Sequence, residues 1–454
     1  MDRYIYGYIH AMLLILFLLP LDGKSQLTIS GQLRTRSEFR DGQGTLPEKG
    51  AVPAFFTSQR TRLNFGYSGY RYKFYTVVQD VRVWGQDASS INRTTTSDNN
   101  GAMLHEAWAE ISLLDTGSVI ENLSLKIGRQ ELVYNDHRIL GNLEWLQQAR
   151  RHDAALLKFL HKGWTVHAGF AFNQNREYKS GTMYNGVPVG YPAGTNGIGV
   201  MYKSMQFLFL NKKISSYNTS LVLVKDDFNR YSLSGATRGL ERGVWSRWTG
   251  GYHFEGVFLK KLNVISAAYY QGGSDRNGRD LKAYMFTIHT PYQISSSFST
   301  GPGVDIMSGN DGLKTENVNR AFDPLYGTPH KFWGLMDYFY VADPFGSAGL
   351  KDFYLRSKVK LTRSLSSMIE VHEFHSASRI ADPNSAEPKA MDSRLGTEID
   401  VVFNYVLTPA VSAEGAYCVM FGTNTLNRIK PPATDKRFTG HWAYLMIIIK
   451  PTFM

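Results

Sequence analysis

The sequence predicts an all-β chain that closes into a transmembrane antiparallel barrel of about 18 strands. Three observations carry that expectation. Segments of about ten residues alternate apolar and polar side chains, the connections alternate between tight and long, and no later apolar run is long enough for a spanning helix.

The chain opens with Arg3, an apolar run from Ala11 to Leu21 and the polar "DGKS", with small Gly23 and Ser25 before Gln26. That pattern reads as a secretory signal peptide over 1–25, leaving 26–454 as the barrel. Removing it takes away two bases and two acids, so the surplus stays at +11. Export makes nucleic acid the least fitting partner for that charge; an acidic lipid surface or a stream of anions fits better. The single Cys418 excludes an intrachain disulfide, and 26 Tyr with 42 Gly and no helix-period segments argue against an ordinary soluble α/β protein.

Alternation is clearest in "LGTEIDVVFNYVL" (395–407), where Leu395, Ile399, Val401, Phe403 and Tyr405 share a face against Glu398, Asp400 and Asn404. "FYLRSKVKL" (353–361) sets Phe353, Leu355, Val359 and Leu361 against Arg356, Lys358 and Lys360. Candidate strands run near 27–40, 59–67, 71–84, 104–114, 122–131, 152–160, 164–173, 198–210 and 217–226. They continue near 247–259, 262–271, 281–290, 333–341, 352–361, 367–375, 394–406, 411–421 and 440–450. Tight links such as 68–70, 161–163, 260–261, 362–366 and 407–410 alternate with long polar ones such as 85–103, 174–197, 227–246, 376–393 and 422–439. Short periplasmic turns and long extracellular loops are the signature of an outer-membrane barrel, with both termini on the short side. Residues 291–332 break the parity, so they hold either a missed hairpin or a periplasmic segment directed toward the pore.

"QLRTRSEFR" (32–40) places Arg34, Arg36, Glu38 and Arg40 at every second position. A basic residue facing lipid at mid-depth costs about 2–4 kcal/mol, so this face is expected to line the lumen. Arg60 and Arg62 repeat the spacing, Arg82 shares a face with Asp80, and Arg356, Lys358 and Lys360 form a later basic row. Rings of Arg and Lys favour anions, and the arginine fork suits a carboxylate. About half of these cations are expected to brace the wall against Glu38, Asp80, Glu398 and Asp400, and the rest to meet the solute. With Arg34, Arg36, Arg60 and Arg62 all changed to glutamine, the barrel is expected still to assemble and to lose anion preference.

"LRTRSEFR", "QRTRLNF", "VQDVRVWG", "KIGRQELVYNDHRILGNLEW" and "RRHDAALL" resemble the alginate export family of outer-membrane porins, as do "FDPLYGTPHKFWGLMDYF" and "LGTEIDVVFNYVL" later. The resemblance implies an 18-stranded barrel with an arginine-rich, anion-selective pore, and carries Arg34, Arg36, Arg60, Arg62, Arg82, Arg129, Arg138 and Arg151 as motif positions. Arg129 departs from the others because strict alternation puts it on the apolar face.

Other motifs carry less. In "VHEFH" (371–375) His372 and His375 face opposite ways on a strand, so two metal ligands do not converge. "SGNDG" (308–312) lacks the acidic spacing of a calcium loop, and "NGVPVGYPAGTNGIG" (185–199) is no phosphate loop. His105 with Glu106, or His137 with Asp136, offers no working catalytic pair, since strand neighbours point apart. The expected function is non-enzymatic diffusion of anionic solutes or acidic polysaccharide across the outer membrane. No cofactor is implied, lipid is the surrounding partner, and a periplasmic export partner is left open. The alternatives are a barrel enzyme and a non-conducting surface scaffold.

Overall fold

The computed structural model describes residues 26–85, 102–115, 117–173, 202–234, 237–339, 347–430 and 435–454. Residues 1–25 and the glycine-rich 185–199 stretch lie outside them. Among the described residues, eighteen strands pair antiparallel, each with its chain neighbour, and the last pairs with the first. They are β1 Gln26–Asp41, β2 Ala54–Gly69, β3 Tyr72–Val83, β4 Met103–Ser112, β5 Asn122–Gln130 and β6 His152–His161. Then come β7 Trp164–Phe172, β8 Ser204–Ile214, β9 Tyr217–Ser234, β10 Thr237–Phe258, β11 Leu262–Ser274 and β12 Asp280–His289. The circuit ends with β13 Phe298–Met307, β14 Leu350–Lys360, β15 Leu365–Ser376, β16 Arg394–Thr408, β17 Val411–Gly422 and β18 Thr439–Ile449. Closure removes the edges that an open sheet would leave in lipid.

Alternation does what it predicts. Leu63, Phe74, Leu223, Tyr284, Phe403 and Leu445 stand exposed on the outer face. Such a surface would be a liability in water and is the lipid-facing band of a barrel. Both described termini lie on the short-turn side, where Ile29 N–H donates to the Met454 carbonyl at 2.9 Å.

Two expectations are corrected. The thirteenth strand is Phe298–Met307, reached by a short link after β12, and the described residues 333–339 form no strand. Residues 291–332 therefore hold one missed strand, which hairpins onto β12, followed by a pore-directed segment that enters from the long-loop side rather than the periplasmic one. The long connection is 308–349, on the long-loop side, and its described part folds into the barrel. "FSTGPGVDIM" reads as a loop because of its glycines, yet each has a packing reason. A Cβ on Gly303 would lie 2.1 Å from the Tyr354 ring, and one on Gly301 would lie 2.2 Å from the Thr290 carbonyl oxygen. The second correction is 227–246, expected as a polar loop. β9 and β10 instead continue as a paired ribbon to Ser234 and Thr237.

Residues 131–151 and 308–339 occupy the lumen together. A parallel bridge joins Leu140 to Tyr326, and Trp145 stacks on His330 at 3.9 Å between ring centres. Leu132, Leu140, Phe322, Trp333, Met336 and Phe339 form an apolar core with the inward side chains of the wall. Among the described residues, every non-glycine residue with φ in the left-handed region lies in a tight turn, in 131–151 or in the 308–349 connection, as Leu143, Leu325 and Trp333 do. Such backbone costs of order 1–3 kcal/mol per residue and persists only where the surroundings hold it.

Candidate functional site: the luminal arginine cradle

In β1 and β2 the inward positions bring Arg34 directly opposite Arg60 across the strand pair. Like charges placed so repel, and neither strand supplies the counter-charge. Residues 131–151 supply it. Arg34 donates to the main-chain oxygens of Glu144 (2.7 Å), Trp145 (3.1 Å) and Leu146 (3.2 Å), and to the Gln147 side chain at 2.9 Å. Arg36 donates to the Trp145 carbonyl at 2.8 Å and lies over its ring at 4.0 Å. Arg60 and Arg62 grip the Glu144 carboxylate: Arg60 through Nη1 to Oε2 at 3.2 Å and through Nη2 to Oε1, Arg62 through Nη1 to Oε2 at 3.3 Å. Burial alone would raise the pKa of Glu144, but Arg60, Arg62 and Arg34 outweigh it and hold the carboxyl below its ordinary range.

Further contacts fix the geometry. Gln32 accepts from Arg60 Nε at 2.9 Å, and Gln79 accepts from Arg62 Nε at 2.7 Å. Arg62 also meets His105 Nε2 at 3.0 Å, which in turn lies 2.8 Å from Glu131. Here the β3–β4 register slips at His105, so the expectation that His105 and Glu106 point apart fails. Both reach Glu131, Glu106 by accepting from its main-chain N–H at 3.1 Å. Arg40 pairs with Glu38 at 2.8 Å, and Glu38 also takes Arg36.

The other predicted cations divide. Arg138 leaves the cradle and reaches across to Asp305 at 2.5 Å and Asp136 at 2.8 Å, under the Phe332 ring. Arg151 is buried and reaches the Met103 sulfur at 3.5 Å. Arg356 faces the lumen and pairs with Glu370. Lys358 and Lys360 make no ion pair among the described residues and line a cavity of 520 Å³ with Ser299, Ser366 and Asn404 at the short-turn mouth.

Arg82 and Arg129 are corrections: both lie on the outer face. Arg60 and Arg62, facing inward, pair in register with Val81 and Gln79, which sends Asp80 and Arg82 outward. Arg82 there pairs with Asp80 at 2.7 Å, and Arg129 with Asp153 at 2.8 Å. Both sit at the long-loop ends of their strands, where the cost of a lipid-side charge falls to about 0–1 kcal/mol.

A second wall is acidic. Glu398 accepts from the Met336 main-chain N–H at 2.7 Å, and Asp400 from that of Leu335 at 3.1 Å. Asp305 accepts from Trp333 Nε1 at 2.9 Å. Glu398 and Asp400 therefore hold a backbone rather than bracing arginines as expected. His372, buried in this wall, meets Asp352 at 2.9 Å while His375 points to the other face. Asp311 binds Arg379 at 2.6 Å and caps the Leu313 N–H at 3.1 Å, an ordinary turn.

Sequence reasoning missed Glu144, Gln147, Gln32 and Arg150, whose Nη1 donates to the Gly327 carbonyl at 2.7 Å. "GNLEWLQQARR" carries no periodicity that would have marked them.

Residues 25–171, which hold the cradle, match the family model described as alginate export. Pseudomonas aeruginosa OpdO superimposes with a TM-score of 0.61 at 13% identity, covering 94% of this chain and 98% of that one. OpdL of the same organism gives 0.60 at 14% identity, covering 94% and 99%. Acinetobacter baumannii OccAB4 gives 0.59 at 12% identity, covering 96% and 100%. No curated protein matches the chain by sequence. The chain is an outer-membrane porin-like barrel whose first third carries the alginate export pattern.

Proposed function

We propose that this barrel is a non-enzymatic, anion-selective diffusion channel for anionic solutes, its preference set by the cations of β1 and β2. The observation that carries this is the luminal charge balance. Arg34, Arg60 and Arg62 share Glu144, with Glu131 also 4.0 Å from Arg62, while Arg36 and Arg40 share Glu38, so five guanidinium groups face three carboxylates. Lys358 and Lys360 add two cations that have no ion-pair partner among the described residues, at the short-turn mouth. A narrow lumen concentrates such a field on whatever passes. The match of residues 25–171 to the alginate export family favours a second reading, with acidic polysaccharide as the cargo. Two connections filling the lumen favour small anions over a polymer, unless those connections move aside.

The test is the reversal potential of the purified barrel in a planar bilayer under a KCl gradient. Chloride should be preferred over potassium, and the preference should shrink as salt rises toward 1 M, where the screening length is about 3 Å. Equal permeability, or a preference for potassium, would sink the proposal.

A further inference from the structure

We infer that the short-turn rim of the barrel is a docking surface for anionic phospholipid headgroups of the periplasmic leaflet. The links on that rim carry Arg71, Lys162, Lys260, Lys261 and Arg363, with Lys450 just after β18, against the two acids Asp115 and Glu121. All six cations are exposed. Asp115 lies 4.0 Å from Arg71, and Glu121 accepts from the Lys162 main-chain N–H at 2.8 Å. The other five cations make no ion pair among the described residues. At the long-loop end, by contrast, most of the described outward cations carry their own carboxylate. Arg82 meets Asp80, Arg129 meets Asp153, and Arg394 meets Glu373 at 2.6 Å. The short-turn rim thus leaves a positive surplus for its surroundings to answer.

Two features name lipid as the partner. The first is the company the cations keep. Tyr70, 68% exposed, precedes Arg71, and Leu259, 91% exposed, precedes Lys260. Trp164 and Leu361 stand exposed two residues from Lys162 and Arg363. On the outer face Lys212 lies 4.9 Å from the Trp164 ring and donates to the Lys162 carbonyl at 2.7 Å. An apolar or aromatic side chain beside a cation suits a membrane boundary, where the first enters the acyl layer and the second meets headgroups. An acidic protein or polymer arriving from water would leave Leu259 and Leu361 without a use. The second feature is distribution. The cations fall on the β2–β3, β6–β7, β10–β11 and β14–β15 links and after β18, so they recur every fourth strand around the barrel. A lipid shell touches that whole circumference, whereas a soluble partner would favour one side. Each Lys or Arg beside anionic headgroups adds an attraction that salt screens.

The test titrates the purified full barrel in detergent with phosphatidylglycerol or phosphatidylethanolamine and reads bound lipid by native mass spectrometry. Phosphatidylglycerol should bind the tighter, and its advantage should fall as ammonium acetate rises. Lys162→Gln, Lys212→Gln, Lys260→Gln, Lys261→Gln and Arg363→Gln combined should abolish the preference. Lys260→Gln with Lys261→Gln, confined to one turn, should weaken phosphatidylglycerol binding about fivefold for each charge removed. That pair carries the test if the larger variant does not assemble. Arg82→Gln with Arg129→Gln, on the opposite rim, should leave the preference as it was. Equal binding of the two lipids by the wild type overturns the inference, and so does a preference that survives the five changes. An equal loss in the Arg82 and Arg129 variant would move the lipid to the other rim and overturn it too. A wild type that binds soluble polygalacturonate but does not distinguish the lipids would make the rim a site for an acidic polymer instead.

Discussion

The two connections that fill the lumen are held by opposite chemistry. Residues 131–151 offer main-chain oxygens and a carboxylate, and the wall of β1 and β2 answers with guanidinium groups. Residues 308–339 offer main-chain N–H groups and an indole, and the wall of β13 and β16 answers with carboxylates. Each wall matches the backbone polarity of what it holds. Buried backbone groups must find partners, and a connection folded into a barrel has no helix or sheet of its own to provide them. The charged luminal faces are thus sockets first, and the charge left after docking is what a solute would meet. One seam joins the systems: Arg138 leaves the first connection and ends on Asp305 of the acidic wall.

That seam gives the largest expected effect. Asp305→Ala strips the acceptor from Arg138, Trp333 and Thr287 at once, leaving a buried cation that only Asp136 answers. Breaking a buried pair in this way costs about 3–5 kcal/mol. The denaturant midpoint of the folded barrel should fall accordingly. Arg34→Ala removes donors to oxygens that lie nearer water and should cost about 1–3 kcal/mol. If Arg34→Ala proved the more damaging, the acidic wall would not be the firmer of the two sockets.

The barrel itself was legible in the sequence, because period-2 alternation and loop asymmetry are properties of each strand taken singly. Only the thirteenth strand was misplaced, and for a reason that lies in packing. "FWGLMDYF" is apolar because it is buried inside the lumen, whereas "FSTGPGVDIM" is glycine-rich because Tyr354 and the Thr290 backbone press on it. Alternation also told which face Arg34, Arg36, Arg60 and Arg62 take. It could not tell what they meet there, since their partners on 144–147, main-chain oxygens and the Glu144 and Gln147 side chains alike, lie on a connection without periodicity. The expectation that changing these four to glutamine would alter selectivity alone changes with it. They also seat 131–151, so that variant should lose the docked backbone as well as the charge.

A gentler way to probe the cradle is pH. Glu144 ionises more readily in the folded barrel than in the unfolded chain, because the arginines outweigh its burial. Its contribution is therefore complete above the unfolded value of about 4.3 and is lost as pH falls through the lower folded value. Single-channel current in the wild type should become noisier only once pH has fallen below the ordinary carboxylate range, as the carboxylate lets go. In Glu144→Gln the noise from this source should be independent of pH across that window. Equal acid sensitivity in both proteins would place the titrating group elsewhere, for instance in the acidic wall.

The smallest expected effect separates the inner from the outer face. Arg129 belongs to the same stretch of chain as the cradle, and a resemblance of motifs alone would group it with Arg34 and Arg60. Its side chain is instead 36% exposed on the outer surface, paired with Asp153 near the long-loop end of β5. An exposed pair of this kind contributes about 0.2–1 kcal/mol, and its charge is separated from the lumen by the barrel wall. Arg129→Gln should therefore leave the reversal potential unchanged and shift the denaturant midpoint barely, whereas Arg60→Gln should move both. A selectivity change in Arg129→Gln as large as that in Arg60→Gln would mean that the pore's field extends through the wall, and facing would then be no guide to which cations act on the solute.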